Sequence, residues 1–130
     1  MGSGENAELV RRGYAAFSAG DMATLNELFA DDAVWHVPGN NPMSGAKQGR
    51  EAILAFFGEL MTGTGGTATS TLQEVVAGED HTISRHRNHA ERNGKVNDQD
   101  AVLVFTIRNE RVTEVQEFHE DTARSDDFWA

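Results

Sequence analysis

A histidine between two acidic residues, close to the end of the chain, is the clearest candidate for chemistry in this sequence. Glu117, His119 and Asp121 are spaced two residues apart, so an extended strand would place all three side chains on one face. A neighbouring carboxylate can orient an imidazole, and burial can raise the pKa of an aspartate toward neutrality. The spacing therefore predicts general acid/base chemistry. A solvated edge strand that leads into an acidic tail would carry the same residues, and the spacing leaves both interpretations open.

The clearest change from a helical to an extended pattern in the chain is the stretch of residues 29–39. It follows a short helical pattern, runs at strand propensity and stops at Pro38-Gly39, which is typical of a helix that leads into a strand. Because strand side chains alternate, Trp35 and His36 should point to opposite faces. Trp35 is expected inside the protein, either as part of the core or as the flat wall of a ring-binding pocket.

Helical and strand periodicities divide the rest of the chain. Apolar residues at three- and four-residue spacing predict helices over residues 5–19 and 50–61, and Asp21 is a candidate N-cap for a short second helix. Residues 38–48 contain several turn formers and are predicted to be an ordered loop that covers a cavity mouth. The tail, residues 120–130, ends in Phe128-Trp129 and should dock on the domain. Strands are predicted over residues 67–77, 81–92, 96–108 and 111–119.

Short linkers join these four strands into an antiparallel meander. Asn93-Gly94 is the strongest hairpin signal, because a type I′ turn needs a positive φ at two successive residues. Helices followed by a meander predict an α+β fold with the helices packed on one face of the sheet. At 130 residues the chain fits a single domain, residues 1–130.

Composition excludes several classes of function. The chain has no cysteine, which excludes disulfides, thiol catalysis and cysteine-ligated metal sites and suits the cytoplasm. Its net charge of −10 opposes binding to nucleic acid or to anionic lipid. No stretch of the sequence has the roughly 18 apolar residues that a transmembrane helix requires. We therefore predict a soluble protein without nucleic-acid or membrane partners.

The histidines do not predict a metal site. His86 and His89 are three residues apart, and this spacing on a strand directs them to opposite faces. The five histidines are scattered and show no dedicated ligand spacing. The sequence also lacks a dinucleotide fingerprint. We predict that the protein uses no metal and no other cofactor.

Several segments resemble a known family. Residues 14–21, 29–33 and 42–45 resemble the opening of the steroid Δ-isomerases, and the overall layout resembles the cone-shaped, nuclear transport factor two-like fold. The SnoaL-like polyketide cyclases are more similar still, on the strength of Val-Trp-His-Val-Pro-Gly at residues 34–39 and Gly-Arg-Glu at residues 49–51. The resemblance covers nearly the whole chain and implies three N-terminal helices on a curved, mainly antiparallel sheet. It says less about function, since this fold supports many activities.

The resemblance also implies roles for individual residues. Tyr14 falls where the steroid isomerases keep the phenol that donates to the substrate oxygen. Val37 stands where those enzymes have their carboxylate base, and Val102 where they have an acidic partner, with Asp100 two residues earlier. Steroid isomerisation by that mechanism is therefore not expected. The SnoaL-like proteins instead have an aspartate near the end of the last strand, which Asp121 matches.

These observations lead to one functional prediction with a rival. The leading interpretation is a cofactor-free cyclase or isomerase that binds an apolar ring or polyketide-like molecule in an internal pocket. The rival is a non-catalytic module that binds a small ligand in the same pocket. The strand over residues 81–92 has no plainly apolar face, which predicts a homodimer formed through the outer face of the sheet. The predicted catalytic residues are Asp121, His119 and Tyr14, and the predicted substrate-binding residues are Trp35, His86, Asp100, Glu117 and Phe57.

Overall fold

The computed structural model describes residues 3–130, which form four helices and six strands. The helices are α1 (Ser3–Ala19), α2 (Met22–Leu28), α3 (Arg50–Gly63) and α4 (Thr122–Trp129). The strands are β1 (Phe29–Val37), β2 (Gly45–Gln48), β3 (Thr69–Ala77), β4 (Thr82–Arg92), β5 (Lys95–Arg108) and β6 (Arg111–His119). None of the helices within this range is long and apolar enough to cross a membrane.

The six strands form one mixed sheet in the order β2-β1-β6-β5-β4-β3. Strands β3 to β6 form the predicted antiparallel meander. Strand β1 pairs in parallel with β6, and Trp35 lies beside Val115 in that register. This pairing brings the strand that follows the first two helices next to the last strand of the sheet.

Helices α1, α2 and α3 bury their apolar sides and complete the core with the inner face of the sheet. Val10 of α1 and Ile53 of α3 are almost fully buried. The side chain of Asp21 caps α2 by accepting a hydrogen bond from the Thr24 amide at 3.1 Å, as its position in the sequence predicted. The α+β class and the mainly antiparallel sheet are therefore confirmed.

The Asn93-Gly94 hairpin forms as expected. The φ angles of Asn93 and Gly94 are +51° and +77°, which are the two successive positive values that the type I′ turn requires. The turn between β5 and β6 also has two positive values, at Asn109 and Glu110. These short turns join β4 to β5 and β5 to β6.

Two elements were not predicted. Residues 45–48, expected in the loop, form β2 and pair with the end of β1. Residues 122–129 form α4, which docks as expected because Phe128 is only 1% exposed. The loop before β2 is tied to α4, since the Asn40 amide and the Asn41 side chain donate to Asp126 at 2.8 and 2.7 Å.

Candidate active site

A cavity of about 120 Å³ lies between the inner face of the sheet and the helices. Of the ten Phe, Trp and Tyr residues in the chain, only Phe118 is absent from the wall of this cavity, and it lies half exposed on the outer face of the sheet. The wall is therefore strongly apolar, and it surrounds a small number of polar groups. The nine aromatic residues are Tyr14, Phe17, Phe29, Trp35, Phe56, Phe57, Phe105, Phe128 and Trp129.

The one acidic side chain in this wall, among the described residues, is Glu117 on β6. One of its oxygens accepts a hydrogen bond from the indole N–H of Trp35 at 2.7 Å, and the other is hydrogen-bonded to Nε2 of His119. The Glu117 and His119 side chains are only 15% and 11% exposed. Both oxygens of this carboxylate therefore have hydrogen-bond partners. The structure thus brings together the glutamate and the histidine that the spacing placed on one face.

The second nitrogen of His119 is held by the C-terminal helix. Ser125 of α4 lies 2.8 Å from Nδ1 of His119. The Gln99 side-chain amide donates to Ser125 at 3.0 Å and accepts from the backbone N–H of Asp121 at 2.7 Å, which fixes the orientation of its amide. Since Gln99 donates to Ser125, the Ser125 hydroxyl can donate to His119. We therefore assign the proton of neutral His119 to Nε2, where it meets Glu117.

A second polar group lies on β4, two strands away from Glu117 and His119 on the same inner face of the sheet. The Tyr14 hydroxyl lies 2.7 Å from the Ser84 hydroxyl and 2.6 Å from Nδ1 of His86. Burial raises the pKa of Tyr14 well above its usual value; the hydrogen bond with Ser84 opposes this rise, and the charge of Glu117 adds to it. Burial lowers the pKa of His86, although Glu117 opposes this effect. Tyr14 is therefore a neutral phenol and His86 a neutral imidazole at physiological pH.

The state of Tyr14 can be measured without a label, because it is the only tyrosine in the chain. A free tyrosine ionises near pH 10, whereas we expect no tyrosinate absorbance at that pH as long as the protein stays folded. The folded state keeps a proton that the unfolded state releases, so the contribution of Tyr14 to stability should decline as the pH rises above about 10. An alkaline absorbance titration, with circular dichroism to follow folding, tests this. Ionisation near pH 10 in the folded protein would contradict it.

Asp121 and Asp100 lie outside this site. Strand β6 ends at His119, so the alternation that would place Asp121 beside it stops there. The Asp121 carboxylate instead caps α4 by accepting from the Arg124 amide at 3.0 Å, and its side chain is 46% exposed. Asp100 lies on the outer face of β5, where it pairs with Arg87 at 3.2 Å. Neither residue lines the cavity, and the roles expected for them do not fit these positions.

Trp35, Phe57, His86, Glu117, His119 and Tyr14 all line the cavity. The predictions from the sequence did not include Ser84, Ser125 and Gln99, which complete the polar network. Ser84 could have been found by alternation, because it lies two residues before His86 on the same strand face. Ser125 had no such signal, since its position depends on how α4 docks.

No group of three or more His, Cys, Asp or Glu side chains in residues 3–130 has an arrangement that could hold a metal ion. His86 is buried at the cavity, whereas His89 is on the outer face and lies 3.1 Å from the Glu91 carboxylate. The cavity wall thus holds a carboxylate–imidazole pair and a phenol–imidazole pair, and no metal-ligand set among the described residues accompanies them.

Comparisons with known proteins give the same fold. Bal32a, from a soil-derived mobile gene cassette, is 46% identical and superposes with a TM-score of 0.96 over 98% of each chain. An NTF2-like (nuclear transport factor two-like) protein of unknown function from Burkholderia pseudomallei is 21% identical, with a TM-score of 0.85 over 97% of this chain and 98% of the other. The expected relation to the NTF2-like fold is therefore confirmed.

The sequence comparisons identify the family. An uncharacterized protein of Mycobacterium tuberculosis is 38% identical over 124 residues, which are 95% of each chain. The family model described as the SnoaL-like domain matches residues 10–115. The match spans both β1, with Trp35, and β4, with His86, although it stops before Glu117 and His119. This chain belongs to the SnoaL-like domain family.

Proposed function

We propose that this protein is an enzyme that moves a proton on a small apolar ring compound without a cofactor, in a cyclase or isomerase type of reaction. The observation that carries the proposal is the Glu117 carboxylate, only 15% exposed, which is paired with His119 in a cavity lined by aromatic side chains. A base in such a cavity is shielded from water, and the N–H of the paired imidazole holds its carboxylate in a fixed orientation. The acid/base role expected for Asp121 thus passes to Glu117.

Tyr14 and His86 would supply the hydrogen-bond donor that the substrate oxygen needs during the reaction. The Ser84 hydroxyl can donate to the Tyr14 oxygen, so we assign the Tyr14 proton to the hydrogen bond with Nδ1 of His86; this assignment places the proton of the neutral ring on Nε2. That Nε2 atom has no hydrogen-bond partner among residues 3–130 and is accessible to water. It is available to donate to a substrate oxygen, and a neutral donor of this kind stabilises negative charge that develops on a carbonyl oxygen. Tyr14 would act through His86 rather than on the substrate.

The reaction that follows from this arrangement is proton removal beside a carbonyl group. The C–H bond breaks as its proton moves to a Glu117 oxygen, and the electron pair forms an enolate whose oxygen accepts from His86. Return of the proton to another carbon gives an isomer. Alternatively, the enolate carbon attacks a second carbonyl of the same molecule and closes a ring, and the alkoxide that forms takes the proton back from Glu117. Neither step needs an oxidant or an external group.

A binding module is the second candidate, and one observation favours it. Both nitrogens of His119 and both oxygens of Glu117 already have protein partners, as expected for a polar network that only shapes a pocket. Exchange of deuterium from the solvent into a cyclic ketone, followed by proton NMR, separates the two. Enzyme-dependent exchange beside the carbonyl supports the proposal, and binding without exchange supports the module.

We also propose that the protein is a homodimer formed through the outer face of the sheet. Val76, Ile83 and Phe118 are 54%, 42% and 51% exposed on that face, and Val102 lies beside Phe118. Exposed apolar side chains that continue across neighbouring strands mark interaction surfaces. Sedimentation should show a dimer that Phe118→Glu converts to a monomer, whereas a monomeric wild-type protein at micromolar concentration would rule the dimer out.

A further inference from the structure

We infer that the cavity accepts a neutral, single-ring compound that carries a carbonyl or hydroxyl oxygen, and that it excludes anions and multi-ring molecules. This inference rests on the proposed function only because it concerns the same site. It is drawn from the size, the charge and the free hydrogen-bonding group of the cavity. It names the class of ligand that the proposed reaction would act on.

The size of the cavity limits the number of rings. Its volume is about 120 Å³, which is comparable to the roughly 150 Å³ of an engineered protein cavity that binds benzene. A single six-membered ring therefore matches the available space. Several rings would have to displace the surrounding aromatic side chains, and close-packed interiors resist such displacement. Phe56, Phe57 and Trp35 stand against one another in ring contacts with centroids 5.2 to 6.1 Å apart, so none can move alone.

The charges of the cavity wall exclude anions. Among the described residues, the wall contains no lysine, arginine or aspartate, and its acidic group is Glu117. An anion would lose its hydration without gaining a counter-ion and would be repelled by the Glu117 carboxylate. The net charge of −10 adds a long-range repulsion. A cation would gain little binding energy from Glu117, because Trp35 and His119 already donate hydrogen bonds to both of its carboxylate oxygens.

The hydrogen-bonding pattern sets the polar end of the ligand. Nε2 of His86 lacks a partner among residues 3–130, while Nδ1 of the same ring is satisfied by Tyr14. An oxygen on the ring satisfies Nε2, and the rest of the ring contacts apolar side chains. A plain hydrocarbon would leave that nitrogen desolvated and unpaired, which is costly in a buried site.

Ligand binding can be followed directly, because Trp35 and Trp129 both line the cavity and are the only tryptophans in the chain. The probes are 2-cyclohexenone, phenol, toluene, benzoate, benzylamine and a four-ring steroid enone, each titrated against tryptophan fluorescence and thermal stability. We expect the two neutral oxygenated rings to bind, and benzoate to bind at least about 100-fold more weakly than phenol. Benzoate binding as tight as that of phenol, tighter binding of benzylammonium, or tighter binding of the steroid would each overturn the inference.

A pair of variants tests the polar end. His86→Phe should weaken phenol about 5-fold while toluene is unaffected, and His89→Phe, an outer-face change on the same strand, should change neither. If His86→Phe does not fold, His86→Gln serves instead and should keep the preference for phenol over toluene, because it retains a donor. Loss of phenol and toluene binding in equal measure would contradict the assignment of His86.

The ligand class and the proposed function can be supported or rejected independently of each other. Binding of single-ring compounds without deuterium exchange would uphold the ligand class and reject the enzyme. Exchange that occurs only on multi-ring ketones would uphold the enzyme and reject the ligand class.

Discussion

Replacing Glu117 with glutamine is expected to lower the rate of solvent exchange or turnover by about 10²- to 10⁴-fold, which is the usual contribution of a general base. Glutamine keeps the size of the side chain, and its carbonyl oxygen can still accept from the Trp35 indole. It cannot take a proton, and its amide cannot accept the Nε2–H of His119. We therefore expect the rate to fall while the affinity for phenol changes little, a pattern that marks a group used in the transition state.

A matched control lies three residues away on the same strand. Glu114 also pairs with a histidine, His36, at 2.9 Å, but its side chain is 46% exposed on the outer face of the sheet. Glu114→Gln should therefore leave both the rate and the affinity unchanged. If Glu117→Gln retained the wild-type exchange rate, or if both variants lost it to the same extent, the assignment of Glu117 as the base would fail.

The second large effect concerns stability. Phe128→Ala is expected to lower the free energy of unfolding by about 3 to 5 kcal/mol, because it removes a buried aromatic ring and leaves a void. Phe128 is 1% exposed and stands edge-to-face with Trp129 at 5.1 Å between ring centroids. Arg92 reinforces this end of the helix by donating to the Phe128 carbonyl at 2.9 Å. Urea unfolding followed by circular dichroism measures the change.

Phe118→Ala is the control, since it removes the same ring from a half-exposed site on the outer face. It should cost less than about 1 kcal/mol, as surface substitutions usually do. Measuring both variants at two protein concentrations separates folding from association, which Phe118 is proposed to support. Equal losses for the two variants would show that Phe128 does not anchor α4.

The elements that were predicted correctly are those whose signal is local. The helical spacing in residues 50–61 and the Asn93-Gly94 turn depend only on neighbouring residues in the sequence, and both elements form as predicted. Helix α4 has no such signal, since Ser125 and Asp127 are poor helix formers and its stability comes from the burial of Phe128. Strand β2 is likewise set by its pairing with β1 rather than by its residues Gly45 and Lys47.

The same distinction applies to the site. Alternation along β6 correctly placed Glu117 and His119 together, because both belong to one regular strand. It failed for Asp121, where the strand ends and the chain turns into α4. Alternation also explains why Asp100 points outward, since its neighbours Gln99 and Ala101 are the buried ones. Which face was inner could not be read from β5 without knowing where the helices pack.

The parallel pairing of β1 with β6 also has a consequence for how the protein folds. The contact between Trp35 and Glu117 joins residues 82 positions apart, and that between Tyr14 and His86 joins residues 72 apart. Such long loops must close before either contact can form, and their entropic cost slows folding. The hairpins of the meander need no such closure. We therefore expect the meander, with Glu117 and His119 side by side on β6, to form early, and the contacts of Trp35 and Tyr14 with the site to form late in folding.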